Sequence, residues 1–349
     1  MRKFRVSAKK AEADDVCSFY LVPHDGKPLP GFVPGQYLTL SLKLPDQEKP
    51  LVRCYSLSDS PFQRDHYRVT VKCLGAPRGK LDVPPGVASN FLHRNLNEGN
   101  IVDVKAPSGS FCLEPEGHAP VVLIAGGVGV TPLFCMLKAV CQSGSKREIW
   151  LFFGLRHGGE YIFREELEQF AASHENVNVR VCFDAPHPSD HLGQTYHVHG
   201  RVTVDLLKQT LPSNNYQFYV CGPPLMMASI IADLAAWGVP DEYIHTEAFG
   251  PASVKTIEKP RASVSPQPLV TFARSGKTLV WNDADNLLEF AEASGIKPDF
   301  GCRAGGCGTC ATAVKSGEVV YVRNPDTKPD PGSCLICVAR PRTDLVLEA

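Results

Sequence analysis

Cys302-Arg-Ala-Gly-Gly-Cys307-Gly-Thr-Cys310 carries three cysteines in the order C-x4-C-x2-C. Cys334 and Cys337 lie further on and offer a fourth thiolate. Three thiolates in one tight loop and one distant suit a [2Fe–2S] cluster. Gly305, Gly306 and Gly308 let the backbone turn sharply, and they put no side chain against the cluster sulfides. Backbone N–H groups freed by such a turn point at sulfur and tune its potential. Zinc, which usually takes paired C-x2-C knuckles, and a set of free thiols are the rival readings. The C-x4-C-x2-C order favours the cluster.

Outward from that loop, 349 residues are too many for one small core, and two or three domains are expected. The 43% apolar and 21% charged composition is that of a soluble globular chain, so neither disorder nor a fibrous repeat is indicated. A net charge of −1 gives no electrostatic reason to expect nucleic acid or membrane partners. Met1 to Lys10 is charged and lacks an apolar core, so no signal peptide is expected. No apolar run approaches the ~20 residues of a membrane helix. Thirteen cysteines could signal a secreted disulfide scaffold, but those outside the loop are scattered in apolar runs and read as buried thiols. A reducing cytoplasm is the expected setting.

Residues 1–115 show short alternating runs, such as Tyr37-Leu-Thr-Leu-Ser-Leu42 and Tyr67-Arg-Val-Thr-Val-Lys72, separated by Pro and Gly turns. An antiparallel β-barrel is predicted. Within it, Arg53-Cys54-Tyr55-Ser56-Leu57 combines a cation, an aromatic ring and a hydroxyl. An aromatic can cover a flavin face, a hydroxyl can bond its N5 edge, and a guanidinium can pair with phosphate. Alternation puts residues 53 and 55 on one face and Ser56 on the other unless the strand twists. Gly86-Val87-Ala88-Ser89 reads as a turn into a short helix, whose N–H groups and Ser89 hydroxyl suit a pyrophosphate.

Pro120-Val-Val-Leu-Ile-Ala125 is a continuous apolar run, as in a parallel strand buried on both faces. Gly126-Gly127-Val128-Gly129-Val130-Thr131-Pro132 follows, then Leu133, Phe134, Leu137 and Val140 at helical spacing. Thr131 is the predicted N-cap and Pro132 the first helical residue. Strand, glycine turn and helix make a dinucleotide geometry, although Pro132 stands where a third glycine is usual. Arg156 follows a second buried strand, Ile149 to Phe153, and Cys221-Gly222-Pro223 ends another. His187, His191, His197 and His199 read as loop and strand histidines, since no Cys or carboxylate joins them at ligand spacing. Residues 253–268, rich in Pro, Ser and charge, read as a linker. A hairpin about Ser275-Gly276 and a helix ending near Gly295 precede the cluster loop.

Taken together, these motifs resemble the ferredoxin–NADP reductase superfamily with a plant-type [2Fe–2S] ferredoxin domain fused at the C-terminus, as in oxygenase reductase components. Arg53 to Leu57 is similar to the family's RxYSL flavin motif, and Tyr37 ends a similar Pro-Gly-Gln-Tyr segment. Gly86 to Leu92 resembles its flavin-phosphate turn. Gly126 to Pro132 and Cys221-Gly222-Pro223-Pro-Leu-Met226 resemble its pyridine-nucleotide motifs. Glu247-Ala-Phe249-Gly250 resembles the segment that sets an aromatic beside the flavin. Leu335-Ile-Cys337 to Pro341 is similar to the family's LxCxxxP stretch, which makes Cys337 the fourth ligand and Cys334 a bystander. The first two domains most resemble the reductase half of flavohaemoglobins, which favours FAD over FMN. An insertion at residues 75–85 departs from that pattern.

The resemblance implies a flavin-binding β-barrel over 1–115, an α/β NAD(P) domain over 116–252, a linker over 253–268 and a β-grasp ferredoxin domain over 269–349. It implies an NAD(P)H oxidoreductase that uses FAD and a [2Fe–2S] cluster. Ser56, Cys221, Glu247 and Phe249 would line the hydride path, and Cys302, Cys307, Cys310 and Cys337 would hold the cluster. The acceptor would be a separate redox partner, either an oxygenase component or another iron–sulfur protein such as a hybrid-cluster protein. A non-catalytic redox sensor is the reading from another class. Arg156 is placed to meet a 2′-phosphate, and Glu160 lies near enough to leave NADH or NADPH open.

Overall fold

The structure is a computed structural model that describes residues 1–45, 47–76, 85–249, 267–282, 284–303, 305–322, 325 and 327–349. Gly250, most of the expected linker and part of the insertion lie outside the described residues. The chain divides into two units, Met1–Leu38 with Tyr55–Ile257, and Thr39–Cys54 with Glu258–Ala349.

Alternating apolar residues build the N-terminal strands. They are β1 (Arg2–Ala13), β2 (Val16–Pro23), β3 (Tyr37–Leu42), β4 (Leu51–Ser56) and β5 (Tyr67–Lys72), then helix α1 (Val87–Asn95) and β6 (Ile101–Val104). Their sheet runs β4-β3-β6-β1-β2-β5, with β6, β1, β2 and β5 antiparallel in turn. Leu57, one residue past β4, bridges Val69 of β5 in antiparallel sense. That bridge brings the two outer strands together, as the expected barrel requires.

The α/β part follows with β7 (Val121–Gly126), α2 (Val130–Ser143), β8 (Ile149–Leu155), α3 (Arg164–Ser173), β9 (Val177–Phe183), β10 (Val198–His199), α4 (Val204–Thr210), β11 (Gln217–Cys221), α5 (Pro224–Ala236) and β12 (Ile244–Glu247). Six parallel strands lie in the order β10-β9-β8-β7-β11-β12. β7 is buried throughout because its two faces meet different layers. Val121, Leu123 and Ala125 pack with Leu133, Phe134 and Leu137 of α2. Val122 and Ile124 pack with Leu207 of α4 and Ile230 and Leu234 of α5. Each such aliphatic side chain contributes about 1.5–3 kcal/mol by leaving water. β12, read from sequence only as a motif, is the sheet's edge strand beside β11.

A buried ionic network joins barrel and sheet inside this unit. Asp59 lies 2.8 Å from Lys138 Nζ of α2 and 3.3 Å from His66 Nε2. Arg68 Nη1 of β5 and Lys138 Nζ both reach Glu166 of α3, at 3.1 and 2.8 Å. Burial alone would raise the Asp59 carboxyl. The His66 hydrogen bond and the Arg68 and Lys138 charges outweigh it and hold the group well below the usual range.

The second unit carries β13 (Leu269–Phe272), β14 (Lys277–Val280), α6 (Leu287–Ala293), β15 (Ala311–Ser316), β16 (Val319–Tyr321), β17 (Ser333–Leu335), β18 (Ala339–Pro341) and β19 (Leu345–Leu347). Its main sheet runs β14-β13-β19-β15-β17, with β13 parallel to β19, and β16 pairs with β18. The expected hairpin turns at Gly276, whose φ of 66° favours glycine. Asn286 caps α6 by accepting from the Glu289 N–H at 3.0 Å. Leu287, Leu288 and Phe290 of α6 pack with Val270, Phe272 and Leu345 of the sheet, the one-helix mixed sheet of a β-grasp domain.

Candidate functional site

β7 lies between β8 and β11, so the chain's winding reverses there, and the crevice outside those strand ends is where open α/β sheets bind ligands. Gly127–Gly129 forms a single 3-10 turn, and α2 begins at Val130 with Gly129 as its cap residue. The expected Thr131 cap is therefore corrected. Thr131 lies inside the helix and its hydroxyl donates to the Val128 carbonyl at 3.0 Å. The 3-10 turn starts the spiral earlier than the Thr-Pro signal indicates. Gly129 has no alternative, because a Cβ there would stand 2.3 Å from the Cys221 carbonyl oxygen. At the same crossing, a Cβ on Gly126 would stand 2.6 Å from both Met226 Sδ and Pro223 Cδ. The two nucleotide motifs, Gly126 to Pro132 and Cys221 to Met226, thus meet by backbone contact, with Gly222 between them.

Arg156 is exposed just past β8, and its N–H donates to Glu160 Oε2 at 3.2 Å. Glu160 also faces Lys72 at 3.9 Å, so a cation and a carboxylate share this strand end.

Ser56 and Glu247 come together although 191 positions separate them: the Ser56 hydroxyl donates to Glu247 Oε2 at 3.1 Å. Cys221, paired with Glu247 across β11 and β12, is fully buried. Burial first, then the Glu247 charge, pushes its thiol up, so it stays neutral. Phe249 is 40% exposed. Tyr37 is buried, its ring over Gly109, where an added Cβ would stand 3.0 Å away. At the turn into α1, the structure corrects one expectation. Ser89 does not present its hydroxyl outward; it donates to Gly86 O at 3.0 Å and accepts from the Leu74 N–H at 3.1 Å. Gly86 caps α1 without a side-chain bond and no acidic residue stands in the first turn, so the N–H groups at Val87 and Ala88 suit phosphate oxygen.

In the second unit, the cluster loop folds around sulfur. Gly306 and Cys307 N–H both donate to Cys302 Sγ at 3.3 Å, and Cys302 N–H donates to Cys307 Sγ at 3.2 Å. Cys310 and Cys337 sulfurs stand 3.1 Å apart. Arg303, between the first two cysteines, adopts φ 55°, a conformation that costs a non-glycine residue free energy. Its guanidinium stacks on Phe300 at 4.0 Å and pairs with Glu292. Four thiols and inward N–H groups are the donor set that a [2Fe–2S] cluster needs. Cys334 is buried in the domain core.

Two residues of the Arg53 to Leu57 motif also reach the segment around the cluster loop. The Arg53 guanidinium lies 5.2 Å from the Phe300 ring centre and donates to Val52 O. Cys54 places its sulfur with those of Cys302 and Cys307, all within 4.8 Å of one another. Those neighbouring sulfurs, Cys302 first, and then burial push the Cys54 thiol well up. Sequence spacing held no sign of this meeting, beyond alternation that sets Cys54 on the face opposite Arg53 and Tyr55.

Three family models match in order: an oxidoreductase FAD-binding domain over residues 3–112, an oxidoreductase NAD-binding domain over 123–231, and a 2Fe-2S iron-sulfur cluster binding domain over 270–342. The last spans both C-x2-C pairs, Cys307 to Cys310 and Cys334 to Cys337, and decides against the zinc reading that two such pairs would otherwise invite. A flavohemoprotein of Halalkalibacterium halodurans is 39% identical over 251 residues, which are 72% of this chain and 60% of that protein. The chain therefore spans about 60% of the length of such relatives. The FAD/NAD-binding domain of nitric oxide dioxygenase from Vibrio cholerae superposes with a TM-score of 0.63 at 31% identity, covering 72% of this chain and 99% of that one. Phthalate dioxygenase reductase superposes with a TM-score of 0.61 at 25% identity, covering 99% of this chain and 97% of that one.

Fold and site define an oxidoreductase with FAD-binding, NAD-binding and [2Fe–2S]-binding domains in one chain. The chain belongs to the ferredoxin–NADP reductase superfamily, in the form that carries a C-terminal [2Fe–2S] domain. Among the described residues, no helix is long and apolar enough to cross a membrane.

Proposed function

We propose that the chain oxidises NAD(P)H and delivers single electrons to a separate acceptor protein, an oxygenase component. The observation that carries this reading is the end-to-end similarity to phthalate dioxygenase reductase, in which both lengths are almost fully covered. The reading assigns the flavin site to residues 1–115, the nucleotide site to 116–252 and the cluster to 269–349. When bound, FAD takes both electrons of the hydride and the [2Fe–2S] cluster passes them on one at a time.

The chain's own residues supply binding and orientation. Gly127 to Pro132, with Gly222, Pro223 and Met226, would receive the dinucleotide, its phosphates toward the start of α2. Ser56 turns its proton to Glu247, which leaves the hydroxyl lone pairs for a donor on the flavin edge. Tyr55 would cover one face of the ring and Phe249 the other. Cys221, neutral and buried, would position the nicotinamide rather than attack it. Cys302, Cys307, Cys310 and Cys337 would hold the cluster. A reducing, cytoplasmic setting suits a chain whose cluster ligands are thiolates and whose Cys135, Cys141 and Cys182 are buried.

Purified protein should show flavin and cluster absorption together, and acid extraction should release FAD. It should reduce cytochrome c with NADH or NADPH, and a pull-down from native lysate should recover the acceptor. Release of FMN would overturn the FAD assignment. Negligible cytochrome c reduction by a fully loaded protein would sink the electron-transfer reading and leave a sensor.

A further inference from the structure

β4 lies along the segment that leads into the cluster loop, and four successive contacts fix the pairing. Lys49 Nζ stands 3.2 Å from Asp299 Oδ1. Arg53 covers the ring of Phe300. A Cβ on Gly301 would stand 3.1 Å from Val52 Cγ1 and 2.8 Å from Cys307 Sγ, so a side chain there would crowd both strand and loop. The fourth contact is the meeting of Cys54 Sγ with Cys302 and Cys307 Sγ. Behind it, Thr39 Oγ1, itself buried, stands 3.3 Å from Cys54 Sγ.

Resting on the reading that Cys302, Cys307, Cys310 and Cys337 bind the cluster, Cys54 is a fifth sulfur beside two ligands. Ligand thiolates carry no proton, so a hydrogen bond between them and Cys54 has one possible donor. The Thr39 hydroxyl then donates to the back of the same sulfur and fixes the direction of the S–H bond. A donor at a ligand sulfur draws charge from the iron and favours the reduced, more negative state. We propose that Cys54 is a positioning residue of the cluster, donating to the Cys302 and Cys307 thiolates and raising the cluster's reduction potential, with Thr39 orienting it.

The test is an EPR-monitored redox titration of holoprotein, with iron and acid-labile sulfide measured on the same samples. Cys54→Ala should keep full iron and sulfide and shift the cluster midpoint to more negative potential. Cys54→Ser, which keeps a donor, should fall between Cys54→Ala and the parent protein. Thr39→Val should shift the midpoint in the same direction by less. Full cluster content with an unchanged or more positive midpoint in Cys54→Ala overturns the proposal. So does loss of the cluster from folded Cys54→Ala, which would make Cys54 a ligand. Should Cys54→Ala fail to fold, Thr39→Val decides: a negative shift supports the proposal and an unchanged midpoint overturns it. Parent protein lacking iron and sulfide would instead sink the cluster reading on which the proposal rests.

Discussion

The nucleotide turn at Gly126 to Pro132 and the cluster loop at Cys302 to Cys310 are both glycine-rich, and they are held in opposite ways. The turn is fixed by the core beneath it. Val130, Leu133 and Phe134 are fully buried, and Gly129 fits against the Cys221 carbonyl with no space for a methyl group. The loop is fixed by sulfur. The N–H groups of Cys302, Gly306 and Cys307 donate to Cys302 and Cys307 Sγ, and its Arg303 sits at positive φ. A turn built on packing keeps its shape without its ligand, whereas a loop built around thiolates couples its shape to metal.

The largest expected effect breaks the second region and spares the first. Cys337→Ser should abolish the cluster, read as lost iron and lost visible absorption, while NAD(P)H-to-ferricyanide activity stays largely intact. The reason is that, among the described residues, the hydrophobic core of this domain is formed by residues between 270 and 349, and ferricyanide can take electrons from flavin directly. Retention of a full cluster would remove Cys337 from the ligand set.

Next in size is a strike at the first region's frame. Asp59→Asn leaves Arg68 and Lys138 facing a neutral group in a buried site, which costs about 3–5 kcal/mol. Denaturant unfolding of flavin absorption should read that loss. The pH dependence has a definite sign. The folded Asp59 carboxyl lies below its unfolded value of about 3.9, so its stabilisation is complete above that pH. It fades as pH falls from there toward the folded value. In Asp59→Asn this acid-side loss should shrink; an unchanged acid limb would show that other carboxylates govern it.

A smaller effect sharpens what the nucleotide crevice selects. If Arg156 meets a 2′-phosphate, Arg156→Ala should weaken NADPH by about 1.5–3 kcal/mol, roughly ten- to a hundredfold, and spare NADH. Steady-state KM values for both nucleotides check it, and equal losses would take Arg156 out of that role. Smallest of all, Cys334→Ser should keep iron content and both activities near normal. Its cost is about 1 kcal/mol of stability for a hydroxyl placed in the core. Loss of the cluster there would move the fourth ligand by three residues.

Much of this molecule is legible without coordinates. The apolar run of β7 and the helical spacing of Leu133, Phe134, Leu137 and Val140 are local signals, and each formed what it indicates; the C-x4-C-x2-C loop falls inside the matched 2Fe-2S domain. The start of α2 was misread because Thr131-Pro132 is a good capping pair, yet the glycine turn before it had already begun to coil. Ser89 was misread because a hydroxyl at a helix start serves the backbone as readily as a ligand.

What the sequence by itself determined was chemistry held within a few neighbouring residues: which segments are strands or helices, and which cysteines gather in one tight loop. Periodicity and spacing encode these because side-chain direction repeats every 2 or 3.6 residues. Only the tertiary structure decided the partnerships across distance. Ser56 meets Glu247, Asp59 gathers charges from β5 and α2, and Cys54 turns to Cys302 and Cys307. Nothing local marks those pairs, since strand alternation says which face a residue occupies and chain closure alone says what that face will touch.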